Sequence, residues 1–167
     1  GDIQRQIHEK AATTWRDVNA SGSLNCIAWH EPSHTFVISG STADIQWAAH
    51  GSDFTVASSQ PSSKPTTMAS DGVVLVGLIG TSSSYSLDGD VWSNGGSVAS
   101  GTWSHSLAYA PGHFVCIASP TTVAATYSTN SGVTWSTPTT DLPADWILAS
   151  GMATDGTRIV AIGTPAA

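Results

Sequence analysis

Short apolar runs recur along the chain and are separated by clusters of Gly, Pro, Asn, Asp and Ser. In residues 106–119, an apolar run at 106–110, the dipeptide Pro111-Gly112 and a β-branched apolar run at 113–119 follow one another. A third run at 123–128 leads through a turn at 130–132 into a fourth run. Short or alternating apolar runs bounded by turn residues are typical of strands. The pattern predicts an all-β chain of short antiparallel strands.

The same succession of elements repeats along the sequence. Hairpin pieces occur at residues 28–37, 69–76, 108–117 and 153–162. A second piece, residues 127–135 (YSTNSGVTW), recurs at 85–92 (YSLDGDVW) and, in degraded form, at 47–54 (WAAHGSDF). A period of roughly 40 residues is that of a β-propeller blade. Residues 13–167 are therefore predicted to form a β-propeller of about four four-stranded antiparallel blades, or a fragment of a larger propeller.

The two ends of the chain are offset relative to this repeat. Thr14-Trp15 matches Thr134-Trp135, so a lone fourth strand is expected before the first full repeat, and the fourth repeat contains two strands. Three arrangements stay open: Trp15 and residues 3–8 complete the last blade and close a small ring, the chain is part of a larger propeller, or a neighbouring chain completes it. Residues 1–12 are predicted to be a docking segment or linker, with a short amphipathic helix as the alternative.

The recurring turn piece resembles the Asp-box, or BNR repeat, with the pattern Ser-x-Asp-x-Gly-x-Thr-Trp. Two copies carry it: Ser128, Asn130, Gly132 and Trp135, with Asn in place of Asp, and Ser86, Asp88, Gly89 and Trp92, one residue shorter. In such a turn the carboxylate or amide hydrogen-bonds the turn's own backbone, Gly permits a positive φ and Trp packs between sheets. These residues are interpreted as architectural. The stretch at 103–117 also resembles propeller repeats of bacteriophage structural proteins.

Charge and cysteine content narrow the choice of partners. The 167-residue chain has a net charge of −7, and 10% of its residues are charged. Five basic residues cannot form the stripe that displaces counterions from nucleic acid, so no nucleic-acid partner is expected. No apolar run reaches the roughly 18–20 residues that span a bilayer, and no signal peptide is recognised at the start. Cys26 and Cys116 are predicted to be buried, reduced thiols, which favours folding in a reducing cytosol.

Hydrolytic chemistry has little support in the sequence. Sialidases also carry Asp-boxes, but their arginine triad and Arg-Ile-Pro motif have no counterpart among the three arginines of this chain. Glycosidases need two carboxylates across a cleft. Glu31, Asp44, Asp141 and Asp145 are the candidates, and solvated loop carboxylates explain them equally well. We therefore predict no catalytic residues and classify the chain as non-enzymatic.

Binding residues are similarly sparse. Trp103 and Trp146 each precede a predicted first strand, and they either wedge between blades or offer flat faces for sugar stacking. Together with Asp44 and Asp145, they are the candidate ligand-binding residues. The pair His30-x3-His34 has ligand-like spacing but spans a hairpin turn without a nearby third ligand, so neither a metal site nor a cofactor is expected.

These observations favour a non-enzymatic bacteriophage virion protein of the tail or capsid surface, folded in the host cytoplasm. It would contact other virion proteins or copies of itself, without membrane insertion, and present Ser/Thr-rich loops to a host surface glycan. Those loops are residues 40–43, 58–65, 80–84 and 120–123. The alternative is a carbohydrate-binding or glycoside-hydrolase propeller module of a larger secreted protein, which would place the chain outside the cell.

Overall fold

The computed structural model describes residues 20–40, 42–49, 52–98, 107–118, 124–138 and 146–165. Within these ranges the chain forms strands and turns and no helix, which confirms the predicted all-β class. None of the described segments is therefore a helix that could cross a membrane. Residues 1–12, the predicted docking segment, and Trp15, the predicted lone strand, lie outside the described ranges.

Four antiparallel sheets are formed, each by strands that follow one another in sequence. Sheet 1 contains β1 (Cys26–His30), β2 (Thr35–Ser39), β3 (Gln46–Ala49) and β4 (Thr55–Val56). Sheet 2 contains β5 (Thr67–Ser70), β6 (Leu75–Ile79), β7 (Ser82–Ser86) and β8 (Trp92–Ser97). Sheet 3 contains β9 (Leu107–Ala110), β10 (His113–Ala118) and β11 (Ala124–Ser128). Sheet 4 contains β12 (Trp146–Thr154) and β13 (Ile159–Pro165).

The first hairpin of sheet 2 and that of sheet 4 have the same turn. The carboxylate of Asp71 accepts hydrogen bonds from the backbone N–H groups of Val73 and Val74, at 2.7 and 2.6 Å. Asp155 accepts the equivalent bonds from Thr157 and Arg158, at 2.8 and 2.7 Å. A glycine with positive φ follows each aspartate, a conformation that costs glycine little. Local turn chemistry thus fixes where these hairpins reverse.

All four sheets share one cross-strand pair, which aligns the repeats residue by residue. An alanine on the first strand lies opposite a valine on the second strand in each sheet. The pairs are Ala28–Val37, Ala69–Val76, Ala108–Val115 and Ala153–Val160. Because neighbouring residues of a strand point to opposite faces, the residue before each valine faces the other way. The sheets are therefore structural repeats. The face that carries the valine is equivalent in all four sheets, and so is the opposite face.

Successive sheets pack face to face. The first strands contact one another in chain order: β1 with β5, β5 with β9, and β9 with β12. Between sheets 1 and 2, a buried cluster combines Val37, Ile45 and Ala57 with Met68, Leu75 and Trp92. Between sheets 2 and 3, a second cluster combines Val74, Val76, Leu78 and Val98 with Leu107, Phe114 and Cys116. Each valine of the shared pair in sheets 1 and 2 is thus buried by the following sheet.

Three details differ from the sequence-based prediction. The predicted loop at 80–84 is mostly strand, since β7 begins at Ser82 and both Ser83 and Ser84 are buried. Trp146 does not precede the first strand of sheet 4 but begins it. The fourth strand expected from Thr134 is reduced to a single antiparallel bridge between Tyr127 and Ser136. Among the described residues, four strands are present in sheets 1 and 2 and fewer in the others.

Candidate functional site

The turn between β7 and β8 is held by its own side chains. Ser86 Oγ accepts a hydrogen bond from the Gly89 N–H at 2.8 Å. Asp88 Oδ1 accepts the N–H groups of Asp90 and Val91 at 2.9 and 2.8 Å. The residues from Ser86 to Trp92 are called turn motif 1 from here on. Its polar groups satisfy backbone donors that the reversal leaves without strand partners.

An equivalent arrangement follows β11. Ser128 Oγ accepts the Gly132 N–H at 2.9 Å, and Asn130 Oδ1 accepts the Thr134 N–H at 2.9 Å. The amide group of Asn130 also donates to Thr134 Oγ1 at 2.9 Å. The residues from Ser128 to Trp135 are called turn motif 2. An Asn can replace Asp here because its amide oxygen accepts the same backbone bond while its NH₂ group gains a further acceptor.

The tryptophan of each motif lies over the turn and reaches towards the core between sheets. Trp92 Nε1 donates to the Gly89 carbonyl at 2.9 Å. Trp135 Nε1 donates to the Gly132 carbonyl at 3.2 Å and to Ser83 Oγ of sheet 2 at 3.1 Å. Ser83 Oγ is also 2.7 Å from the Gly132 carbonyl. Turn motif 2 is thereby joined to the sheet before it.

The glycine of each turn motif packs directly on the shared valine of the preceding sheet. A Cβ added at Gly89 would lie 2.7 Å from Val37 Cγ2, and one added at Gly132 would lie 2.9 Å from Val76 Cγ1. Both glycines have positive φ, +84° and +82°. Glycine is thus required at these positions for two reasons: the backbone has a positive φ, and the valine side chain leaves no space for a Cβ atom.

Asp90, within turn motif 1, ties sheet 2 to the loop that leaves sheet 1. Its Oδ1 accepts the Ser58 N–H at 2.7 Å and Trp47 Nε1 at 2.9 Å, and its Oδ2 accepts Ser58 Oγ at 2.8 Å. These hydrogen bonds, first of all that from the Ser58 N–H, lower the pKa of the Asp90 carboxyl. The same loop is joined to β8 again, because Ser62 N and Oγ each lie 2.9 Å from Asn94 Oδ1. This serine-rich loop therefore serves packing.

His30 forms a second hydrogen-bonded contact between sheets 1 and 2. The ring is fully buried, with Nε2 2.9 Å from the Val73 carbonyl and Nδ1 2.6 Å from Ser33 Oγ. A carbonyl can only accept, so Nε2 carries the proton. In the neutral ring, Nδ1 then accepts from Ser33, whose oxygen lies 2.6 Å from Thr35 Oγ1. His30 is thus a fully partnered core residue, and no group of three His, Cys, Asp or Glu suited to a metal occurs in the described ranges.

Two of the candidate ligand-binding residues, Asp44 and Trp146, lie in the described part of the chain, and they belong to different sheets. Asp44 is exposed in the loop between β2 and β3, where its carboxylate pairs with Lys64 Nζ at 3.1 Å. Trp146 begins β12. Trp103, Asp141 and Asp145 lie outside the described ranges, so the predicted carboxylate pair and the predicted aromatic platform stay predictions.

The two cysteines lie on different sheets and are unpaired. Cys26 on β1 is half-buried and Cys116 on β10 is buried. Burial raises the pKa of each thiol to about 12, against the weaker opposing effect of the hydrogen bonds to Ser39 and Thr126. Reactive cysteines need a lowered pKa, so both thiols are packing residues.

The sequence analysis missed a feature at each end of the stack of sheets. Phe36 on β2 is exposed and its ring lies 4.7 Å from that of Trp29, with the exposed Ile27 on the same face. At the other end, Val160 and Ile162 of β13 are exposed. A signal for the first of these exists, because β2 is apolar on both faces (TFVIS), a composition typical of a strand buried between two layers.

Comparison with known proteins identifies no family for this chain. No protein-family model matches the chain, and no curated protein matches it. Among solved structures, the chain is similar to the crystal structure of the Niastella koreensis GH74 enzyme, with 17% identity and a TM-score of 0.42. The match covers 88% of this chain and 29% of that enzyme. A likeness this distant carries no argument about activity.

Proposed function

We propose that this chain is a non-enzymatic structural module whose stacked sheets form a propeller or part of one, and that it serves as a bacteriophage virion component. In this proposal it assembles with other virion proteins or copies of itself and presents loop tips to the host surface. The observation that carries the structural role is the use of polar side chains: in both turn motifs they hold the turn itself. Chemistry on a substrate would require such groups to be free.

Five of the seven carboxylates in the described residues support the same proposal. Asp71, Asp88 and Asp155 accept backbone hydrogen bonds within their own turns, Asp90 holds a neighbouring loop, and Asp44 forms an ion pair. A glycosidase requires one carboxylic acid and one carboxylate facing each other across a substrate. Groups that already stabilise turns are poor candidates for that chemistry, which favours a structural over a hydrolytic role.

The surface available for attachment is polar and nearly uncharged. In the loop between β2 and β3, Thr42 and Asp44 are exposed, and in the turn between β6 and β7, Gly80 and Thr81 are exposed. Hydroxyl groups and a few carboxylates can hydrogen-bond sugar hydroxyls without strong long-range electrostatics. These tips lie between the second and third strands of sheets 1 and 2, so they occupy equivalent positions on neighbouring repeats.

The test is immunogold electron microscopy with antibodies raised against the purified chain, applied to phage particles from its source. Regular labelling of the particle surface supports the proposal. Absence of label from intact and opened particles contradicts it.

A parallel glycan screen decides the alternative. Release of reducing sugar that is lost on Asp145→Asn would establish a hydrolytic module. Glycan binding without hydrolysis, lost on Trp146→Ala but not on Asp145→Asn, would establish a carbohydrate-binding module.

A further inference from the structure

The exposed apolar residues at the two ends of the stack form two faces. The first-end face is the uncovered part of the outer side of sheet 1, where Ile27 is 62% exposed, Phe36 is 40% exposed and Trp29 is half-buried. On the same side of the sheet, Ile38 and Gln46 are buried, and Gln46 is hydrogen-bonded to the Ser21 backbone. The last-end face is the outer side of sheet 4 and consists of Val160 and Ile162, which are 65% and 63% exposed. Isolated exposed apolar side chains are ordinary on protein surfaces, so the case for these two faces depends on their equivalence to buried contacts inside the molecule.

The first-end face has a buried counterpart inside the molecule. Trp29 and Phe36 are cross-strand partners, as are Tyr109 and Phe114 of sheet 3, and the ring centroids of the two pairs are 4.7 and 5.0 Å apart. Phe114 is 2% exposed because sheet 2 covers it, with Val76 in the same buried cluster. Phe36 is the equivalent residue of sheet 1, without such a cover in the described structure.

The last-end face has buried counterparts as well. Val160 is the valine of the shared Ala–Val pair, and its equivalents Val37 and Val76 are both 0% exposed. Each is covered by the following sheet: Val37 clusters with Leu75, and Val76 with Phe114. In both cases the residue packed against the valine immediately precedes the equivalent valine of the following sheet: Leu75 precedes Val76, and Phe114 precedes Val115. In sheet 1 that position is Phe36.

We propose that the last-end face of one chain docks on the first-end face of a second copy, with Val160 against Phe36, in the geometry that already joins sheets 1, 2 and 3. The two faces are the complementary halves of one repeated interface. Both faces are exposed in the described part of the chain, where neither is buried against the other. Such a contact is heterologous, so copies add head to tail and form a ring or a filament.

This inference deepens the assembly part of the proposed function and rests on it for its biological setting. The experiment uses the full chain and two variants, Phe36→Asp and Val160→Asp, studied by sedimentation velocity and light scattering over a range of concentrations. The unaltered chain is expected to sediment as species of at least twice 17.1 kDa. For each variant alone, the dissociation constant of self-association is expected to be at least about tenfold higher than for the unaltered chain, because a charge must be desolvated at the contact.

Mixing the two variants gives the decisive result. Each retains one intact face, so an equimolar mixture is expected to form a one-to-one dimer that grows no further. Leu87→Asp is the matched control, since Leu87 is 63% exposed in turn motif 1 and belongs to neither end face; it should assemble normally. Circular dichroism of each variant shows that the fold is retained, and Phe36→Ser and Val160→Thr replace any variant that fails to fold.

An unaltered chain that stays a monomer at all concentrations overturns the inference. So does a mixture of the variants that fails to dimerise, because it shows that the two faces do not meet. Neither result changes what the particle-labelling test shows. Absence of labelling, in turn, would not contradict dimerisation of the mixed variants. Failure of the inference and failure of the proposed function are therefore distinguishable.

Discussion

Replacing Gly89 by alanine tests how successive sheets are joined. The substitution adds one carbon atom, which would lie 2.7 Å from Val37 Cγ2, far inside van der Waals contact. Val37 is fully buried and β-branched, so its side chain has few other rotamers to adopt. The change also places a Cβ on a residue with φ of +84°. The overlap with Val37 destabilises the contact between sheets 1 and 2, and the positive φ destabilises the turn itself.

The magnitude follows from adding these two effects. A left-handed backbone conformation costs an L-residue about 1–2 kcal/mol, and overpacking a buried contact costs about 1–3 kcal/mol. Gly89→Ala should therefore lower the free energy of unfolding by about 2–5 kcal/mol. The matched control is Gly72→Ala, with φ of +91° and no atom within 4 Å of an added Cβ. It should cost about 1–2 kcal/mol, from the backbone alone.

The assay is urea unfolding followed by tryptophan fluorescence, at a protein concentration low enough to avoid self-association. A double-mutant cycle with Val37→Ala isolates the contact, since Gly89→Ala should cost less once the valine methyl groups are absent. Equal costs for Gly89→Ala and Gly72→Ala, with no coupling to Val37, would refute the assignment of this glycine to the sheet interface.

Three further outcomes are expected. Ser83→Ala should lower the free energy of unfolding in urea by about 1–3 kcal/mol, because it removes a buried hydroxyl bonded to turn motif 2. Ser84→Ala should be neutral or stabilising, because the Ser84 hydroxyl is buried without a hydrogen-bond partner in the described structure. The pKa of Asp90 is lower in the folded chain than in the unfolded chain. Its contribution to the free energy of unfolding is therefore complete above the unfolded pKa of about 3.9 and is lost as pH falls through the folded pKa. Asp90→Asn should make the free energy of unfolding depend less on pH below about pH 5. Cys26 and Cys116, with pKa values of about 12, should resist a thiol reagent at about pH 8 until urea unfolds the chain.

Much of the strand pattern could be predicted because it depends on neighbours in sequence. Asp71 and Asp155 hydrogen-bond residues two and three positions ahead, and the side chains of the turn motifs do the same within a few residues. Gly, Asp and Pro therefore marked the hairpins in the amino-acid sequence itself. The alanine of the shared Ala–Val pair was also visible, as the aligned start of the four hairpin pieces, whereas its valine partner is identified by the strand register.

The remaining features depend on contacts between distant residues. Ser83 looks like a loop residue in a serine-rich stretch, yet it is buried because turn motif 2, about fifty residues later, bonds to its hydroxyl. The contact of His30 with the Val73 carbonyl likewise joins two sheets. Periodicity reports which face of a strand is apolar but not what covers that face. For that reason the sequence shows that β2 is apolar on both faces but not that one of those faces is exposed.

The repeated Ala–Val pair has a consequence for how such a chain can change in evolution. Sheets 1 and 2 each offer the same kind of face to the next sheet, and sheets 2 and 3 receive the preceding sheet in the same way, so duplication or loss of one such sheet leaves an equivalent junction in its place. The number of sheets is then not encoded by any single junction. A lineage could alter the size of the assembly by recombination in the loops between sheets, while point mutations at the glycine and valine positions would be strongly selected against.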